Sequence, residues 1–196
     1  MKKRKDVSKK ELIYDAAVQV IAENGYYNTS ISQIASQADI AVGTIYNYFD
    51  CKEEILEYIF SVELKKRIRF LDKLKEKDLS FWEKITLFLE NHFSELEKNN
   101  ALSKILVREK DFPHSKRPGA ITEYMFKVQG ELEHLIEEAI QKGEIKQCNT
   151  QIISGMLFGA IQGLVEKGIK NKKSEIFAQI PSEMIKVFKN GLKNEK

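Results

Sequence analysis

The sequence predicts an all-α protein of about nine helices, a short three-helix head followed by a longer helical body. Three observations predict it. Apolar residues recur at spacings of three and four from Ile13 to Phe188, the period of one buried helix face. Polar pairs with capping-box spacing stand before several of these runs: Ser8 with Glu11, Ser30 with Gln33, Asp50 with Glu53 and Ser80 with Glu83. The strong breakers fall at the seams, at Asn24-Gly25, in DFPHSKRPG (residues 111–119) and at Gly143.

Composition narrows the class. A chain of 196 residues is long enough for one or two small domains with a real core. Hydrophobic residues at 42% beside charged residues at 31% describe a globular chain, not a disordered one. No apolar run in the sequence approaches the ~18 residues of a membrane span, and the basic N-terminus leads into an amphipathic pattern, so a cytoplasmic protein without a membrane partner is expected. Cys51 and Cys148 lack metal-ligand or C-x-x-C spacing and read as free thiols. The net charge of +3 does not by itself indicate nucleic acid, so the distribution of charge matters more.

Met1 to Lys10 carries Lys2, Lys3, Arg4, Lys5, Lys9 and Lys10 against Asp6 alone. Such an arm is either a solvated terminus or, directly before a DNA-binding unit, a source of phosphate contacts through Lys3, Arg4 and Lys5. The first helix starts at Ser8, buries Ile13, Ala16, Ala17, Val20 and Ile21, and ends at Asn24-Gly25. Tyr26 and Tyr27 are expected to pack across the following turn. From Thr29 to Lys52 the chain reads as two short helices joined by a tight turn at Asp39-Ile40-Ala41. That is a helix-turn-helix, whose second helix enters a major groove of double-stranded DNA. The second helix, expected over Val42 to Phe49, has no charged side chain. It would read DNA through Thr44, Tyr46, Asn47, the methyls of Val42 and close backbone approach at Gly43, while Ile45 and Phe49 face inward. Asn47 has two readings, a bidentate contact to adenine or a solvent-facing side chain. Thr29 and Ser30, at the start of the preceding helix, are counted with the DNA-facing residues.

The run I-x-x-I-A-x-x-A-x-I-A-x-G-T-I-Y-x-Y-F-x-x-K-E-x-I-L, within Leu12 to Leu56, resembles the DNA-binding signature of the TetR (tetracycline-repressor-like) family of bacterial transcription regulators. The resemblance implies base or backbone contacts at Val42, Gly43, Thr44, Tyr46 and Tyr48 and a phosphate contact at Lys52. Two positions depart from the family pattern. Asp39 stands where glycine is frequent, and Ala41 replaces the usual Ser or Thr cap of the recognition helix, a loss typically worth about 1 kcal/mol. The wording AAVQVIAENGY, GTIYNYF and IQKGEIK is also similar to the fatty-acid-degradation regulators of bacilli.

A head of residues 1–53 and a ligand-binding and dimerisation body of residues 54–196 follow from this layout. A linking helix runs from Lys52 to about Lys77 with a core stripe of Ile55, Ile59, Val62, Ile68 and Leu71. Its cations, Lys65, Lys66, Arg67, Arg69, Lys73, Lys75 and Lys77, read as a solvated face. Further helices are expected from Ser80 to Lys98, Leu102 to Lys110, Ala120 to Lys142, Asn149 to Gly168 and Ser174 to Leu192, the last kinked or divided at Pro181. His92 reads as a core histidine. Gly155, Gly159 and Gly163 lie at four-residue spacing and suggest close backbone approach. The last two helices resemble the family's dimer interface, with Gly155, Phe158, Gly159, Gly163, Met184 and Phe188 as contacts; the other reading is a self-contained monomer core.

The function expected is a homodimeric, ligand-responsive repressor released from a pseudo-palindromic operator by a hydrophobic small molecule. Phe88, Phe93, Leu106, Tyr124, Val128 and Phe158 are the candidate lining, although each also reads as core and most read better so, and Arg108 is the candidate anionic anchor. The narrower resemblance implies a long-chain acyl-CoA as effector. A multidrug-type regulator would use Glu109 or Glu133 against lipophilic cations, and a helical interaction protein that does not bind DNA is the remaining alternative. No enzyme, cofactor or metal site is expected: His92, His114 and His134 are scattered, and no phosphate loop, H-E-x-x-H or G-x-S-x-G is present.

Overall fold

The computed structural model describes residues 8–109, 120–170 and 174–192. The helices are α1 (Lys9–Asn24), α2 (Ile31–Gln37), α3 (Val42–Tyr46), α4 (Lys52–Lys75), α5 (Phe81–Lys98), α6 (Asn100–Arg108), α7 (Ala120–Gln141), α8 (Thr150–Lys170) and α9 (Ile180–Leu192), with a 3₁₀ turn over Ser174–Ala178. The all-α expectation holds. The loop with Pro113, His114, Pro118 and Gly119 lies outside the described residues, as do Lys3, Arg4 and Lys5 of the arm.

Local signals account for the boundaries. Ser8, Ser30 and Ser80 each accept from the backbone of the third helical residue, whose Glu or Gln side chain returns the bond. The box expected at Asp50 and Glu53 does not form. Cys51 is the N-cap of α4 without a side-chain bond, and Glu54 instead accepts from the Asp50 N–H at 2.8 Å. Gly25, at φ +82°, ends α1, a conformation that a Cβ would strain. Pro181 occupies the first turn of α9, where its missing N–H is not needed, and so divides the last segment instead of kinking it.

Two cores form, and they do not divide at residue 53. The head core takes Ile55, Leu56, Ile59 and Phe60 from α4 and also Leu102 and Ile105 from α6. The body core begins on α4 at Leu71 and Leu74 and continues through α5, α7, α8 and α9. Helix α4 therefore runs through both, and α6 fastens the body to the back of the head. Helix α8, although no apolar run in the sequence approaches a membrane span, is long and apolar enough to match one by length and composition. It is packed by Leu157, Ile161 and Val165 in the body core.

The glycines of α8 divide in an unexpected way. A Cβ at Gly159 or Gly163 would meet nothing within 4 Å, and one at Gly155 only the Gln129 amide at 3.5 Å. None of the three is required by close approach within the chain. Gly168 is: a Cβ there would lie 2.3 Å from the ring of Phe177, which is buried beside Phe93. Gly168→Ala is expected to destabilise the protein by about 1–3 kcal/mol through overpacking. A lowered urea midpoint at unchanged slope is the check.

Candidate functional site

Helices α2 and α3 meet across a turn in which Asp39 adopts φ +53°, the left-handed conformation for which glycine is the easiest residue. The recognition helix is shorter than expected. It spans Val42–Tyr46, and the chain closes over it through turns in which the Tyr48 and Phe49 N–H groups both donate to the Ile45 carbonyl. Ala41 is its N-cap and supplies no side-chain bond. Ile45 and Phe49 are buried and hold the helix against α1 and α4.

The outward face collects most of the expected readers. Val42, Tyr46 and Tyr48 are exposed large side chains, 38%, 52% and 43% exposed, beside exposed Gly43 and Asn47 and half-buried Thr44. A cluster of exposed aromatics without charge is suited to base edges and thymine methyls. Ser30 is exposed as the cap of α2. Tyr27, expected to pack, is 72% exposed, whereas Tyr26 is buried.

Two residues expected to face DNA are used inside the head. Thr29 is 3% exposed, and its hydroxyl donates to the Gly25 carbonyl at 2.8 Å, bracing the loop after α1. The Lys52 ammonium donates to the carbonyls of Tyr26 at 2.8 Å and Thr29 at 2.6 Å and lies 4.3 Å from the Tyr26 ring centroid. An ammonium has three donors, so one remains for a phosphate once these two bonds are made. Lys52 first of all ties α4 to the loop that presents α2.

Arg108 likewise has a different setting from the one expected. Its guanidinium donates to the Ile21 carbonyl, and to that of Ala22 at 3.5 Å, at the C-terminal end of α1, where a cation is favoured. Its Nε donates to Glu109, whose buried carboxylate also accepts from the Tyr26 N–H at 3.2 Å. The pair clamps α6 to the head. Glu133 accepts from the Thr150 hydroxyl at 2.9 Å, so both acids considered for a cationic ligand have partners elsewhere.

In the body, an open groove of about 290 Å³ runs between α4 and α5, lined by Glu63, Lys66, Arg67, Arg69, Phe70, Lys73, Asn91, His92 and Glu95. Four cations face two acids there. Arg67 and His92 also border a small, part-open void of about 30 Å³, whose other walls are Phe60, Leu96, Leu106, Val107, Met125, Gln162 and Val165. Of the expected lining, Leu106 reaches this void. Phe88, Phe93 and Val128 are packed in the core, Phe158 rests against it, and the side chain of Tyr124 lies outside the described set. The void has the volume of about one water.

Arg67, read from sequence as part of a solvated face, is 7% exposed, and Glu63 is 3% exposed. The Tyr14 hydroxyl donates to Glu63 at 3.0 Å, Arg67 donates to the same carboxylate at 2.9 Å, and Arg67 Nε donates to His92 Nδ1 at 3.1 Å. Burial works to raise the Glu63 carboxyl, but the Arg67 charge and the bonds from Lys66 and Arg67 outweigh it and hold its pKa below the usual range. His92 is held well below 6.5, first by burial and second by the Arg67 charge. A histidine whose folded pKa is depressed contributes stability above its unfolded pKa and loses it as pH falls toward the folded value. The melting temperature is therefore expected to drop as pH is lowered from about 7.5 to about 5.5, and to drop less in His92→Asn. Parallel curves for the two proteins would contradict this.

On α8, Ile152, Met156, Gly159 and Gly163 form one exposed stripe, with Ile152 59% and Met156 56% exposed. Val187 of α9 is also exposed. Of the dimer residues expected from sequence, Gly159 and Gly163 lie on the stripe and Gly155 at its half-buried edge; Met184 is buried, and Phe158 and Phe188 pack against the core. The sequence analysis does not single out Ile152, Met156 or Val187, whose exposed apolar side chains the structure places on α8 and α9.

Residues 13–59 match the family described as bacterial regulatory proteins, tetR family, and residues 60–187 match the YsiA-like protein, C-terminal region. The chain is 33% identical over 185 residues to a fatty acid metabolism regulator protein of Bacillus subtilis, covering 93% of this chain and 95% of that one. Among solved structures, the transcriptional regulator FadR of Bacillus subtilis in complex with stearoyl-CoA superposes with a TM-score of 0.85 at 32% identity, over 91% of this chain and 97% of that chain. The fatty acid degradation regulator FadR of Bacillus halodurans gives 0.80 at 28% identity, over 93% and 97%.

Proposed function

Because this chain belongs to the TetR family of bacterial transcription regulators, we propose that it is a homodimeric repressor released from its operator by a long-chain acyl-CoA. The observation that carries the effector is the pairing of a basic groove with an apolar interior through shared walls, Arg67 and His92. An acyl-CoA has the same two-part chemistry. Its tail enters between α5, α6, α7 and α8 as the void opens, while its phosphates rest near Lys66, Arg69 and Lys73, as Coulomb attraction favours. The similar solved structure that carries stearoyl-CoA supports this choice. A cationic multidrug ligand fits less well, because Glu109 and Glu133 already have partners.

Each head docks through Ser30, Val42, Gly43, Thr44, Tyr46, Asn47 and Tyr48, with the remaining donor of Lys52 on a phosphate. Two heads reach half-sites one helical turn or a multiple apart. The arm residues Lys3, Arg4 and Lys5 add salt-dependent affinity. The two copies meet through the α8 stripe, where open space over Gly159 and Gly163 leaves room for a second backbone.

Calorimetric titration with stearoyl-CoA, free CoA and stearate tests the effector. Stearoyl-CoA is expected to bind more tightly than either fragment, and Arg69→Ala to weaken stearoyl-CoA without weakening stearate. Equal binding of stearate and stearoyl-CoA would remove the headgroup from the proposal.

A further inference from the structure

We propose that Tyr14, Glu63, Arg67 and His92 are positioning residues that couple effector binding to the attitude of the head, an inference that rests on the acyl-CoA site described above. They form a continuous hydrogen-bonded chain across three helices: Tyr14 on α1 to Glu63 on α4, Glu63 to Arg67 one turn on, and Arg67 to His92 on α5. One end belongs to the head. The other end borders both the groove and the void.

The location sets this cluster apart from ordinary surface pairs. Along α4 the buried face reads Leu56, Phe60, Glu63, Arg67, Leu71, Leu74, so two charged residues interrupt an apolar stripe where the head core ends and the body core begins. A buried ion pair is a poor way to gain stability, since desolvation cancels much of the attraction, and apolar residues would serve as well. It is a good way to make geometry discrete, because a buried charge must have its partners and does not tolerate intermediate positions. The Arg67 side chain is held at both ends, by Glu63 and by His92.

An acyl chain that opens the void moves its walls, and His92 is one of them. When His92 leaves Arg67, Nε loses its acceptor, and the guanidinium, still bonded through Nη1 to the Glu63 carbonyl and carboxylate, reorients on Glu63. Glu63 is the acceptor that fixes Tyr14, and the Tyr14 ring is packed edge-on against Tyr58 of α4 at 6.2 Å. The angle between α1 and α4 is therefore tied to the state of the void. A ligand that prefers one arrangement of His92 and Arg67 then prefers one attitude of the head, which is what coupling requires.

The test separates coupling from binding. Wild type, Tyr14→Phe, His92→Asn and His92→Phe are titrated onto a duplex selected by the wild-type protein from a random pool, with and without saturating stearoyl-CoA. Stearoyl-CoA affinity is measured separately for each. Tyr14→Phe keeps the ring and removes only the hydroxyl; His92→Asn keeps an acceptor near the Nδ1 position, and His92→Phe does not. Stearoyl-CoA is expected to weaken wild-type and His92→Asn binding to DNA by roughly 5–150-fold, the usual range of coupling. Binding of Tyr14→Phe, at a position that lines neither the groove nor the void, is expected to fall by less than ~3-fold at unchanged stearoyl-CoA affinity. Binding of His92→Phe, at a wall of the site, is expected to fall by less than ~3-fold at a stearoyl-CoA concentration that saturates that variant. Full release of both uncoupling variants would overturn the relay and leave the acyl-CoA reading standing. A wild-type protein that binds DNA and is not released would overturn both. If Tyr14→Phe fails to fold, the two His92 variants decide the question alone.

Discussion

Phe49→Ala is expected to destabilise the head by about 3–5 kcal/mol, the usual cost of emptying a buried phenylalanine site. Phe49 is 4% exposed, lies 5.4 Å from the Tyr58 ring and has the Lys10 ammonium 5.2 Å from its own ring centroid. It closes the recognition helix onto α4, and α3 has only five residues and no side-chain cap to hold it otherwise. Against a typical stability of about 5–15 kcal/mol, the loss is large enough for operator binding to fail with it. Urea unfolding followed by circular dichroism measures the first effect. Tyr46→Ala is the contrasting variant: Tyr46 is exposed, so operator affinity falls while the unfolding midpoint stays. A Phe49→Ala protein as stable as wild type would mean that α3 is anchored elsewhere.

The second large effect concerns the α8 stripe. Gly163→Glu places a charge at the C-terminal end of the stripe of Ile152, Met156, Gly159 and Gly163, at a position where a Cβ meets nothing within 4 Å. Replacing a helical glycine even favours the helix, by up to about 1 kcal/mol. The isolated chain should therefore fold as well as before, while a homodimer through this face should not form. Sedimentation is expected to show a monomer, and operator affinity to fall roughly 10²–10⁴-fold, the advantage that linking two binding units confers. A Gly163→Glu protein that remains a dimer would place the interface on another surface.

How much of this could be read in the sequence depended on the range of the interaction. Ser8, Ser30 and Ser80 form the boxes their spacing predicts, because such a bond closes within one turn. The Asp50 and Glu53 spacing is the same, yet Glu54 takes the backbone bond, since the turn before α4 brings the neighbouring carboxylate closer. The exposed face of α3 was legible because Ile45 and Phe49 fix which way the helix turns. Long-range polar bonds were not. Lys52 reaches carbonyls more than twenty residues earlier, Arg108 reaches Ile21, and Arg67 reaches His92, and no periodicity marks any of them. Arg67 was misread because a charged residue among six other cations looks solvated, although it occupies the buried face of α4 with Glu63. The head core borrowed Leu102 and Ile105 from α6 for the same reason: an apolar face does not say which neighbour covers it.

The most direct test of the whole account is binding of the purified protein to labelled DNA from its own upstream region, at fixed salt with competitor DNA, before and after adding stearoyl-CoA. The expected result is specific binding that stearoyl-CoA abolishes and free CoA leaves intact. Specific binding that persists at saturating stearoyl-CoA would contradict it.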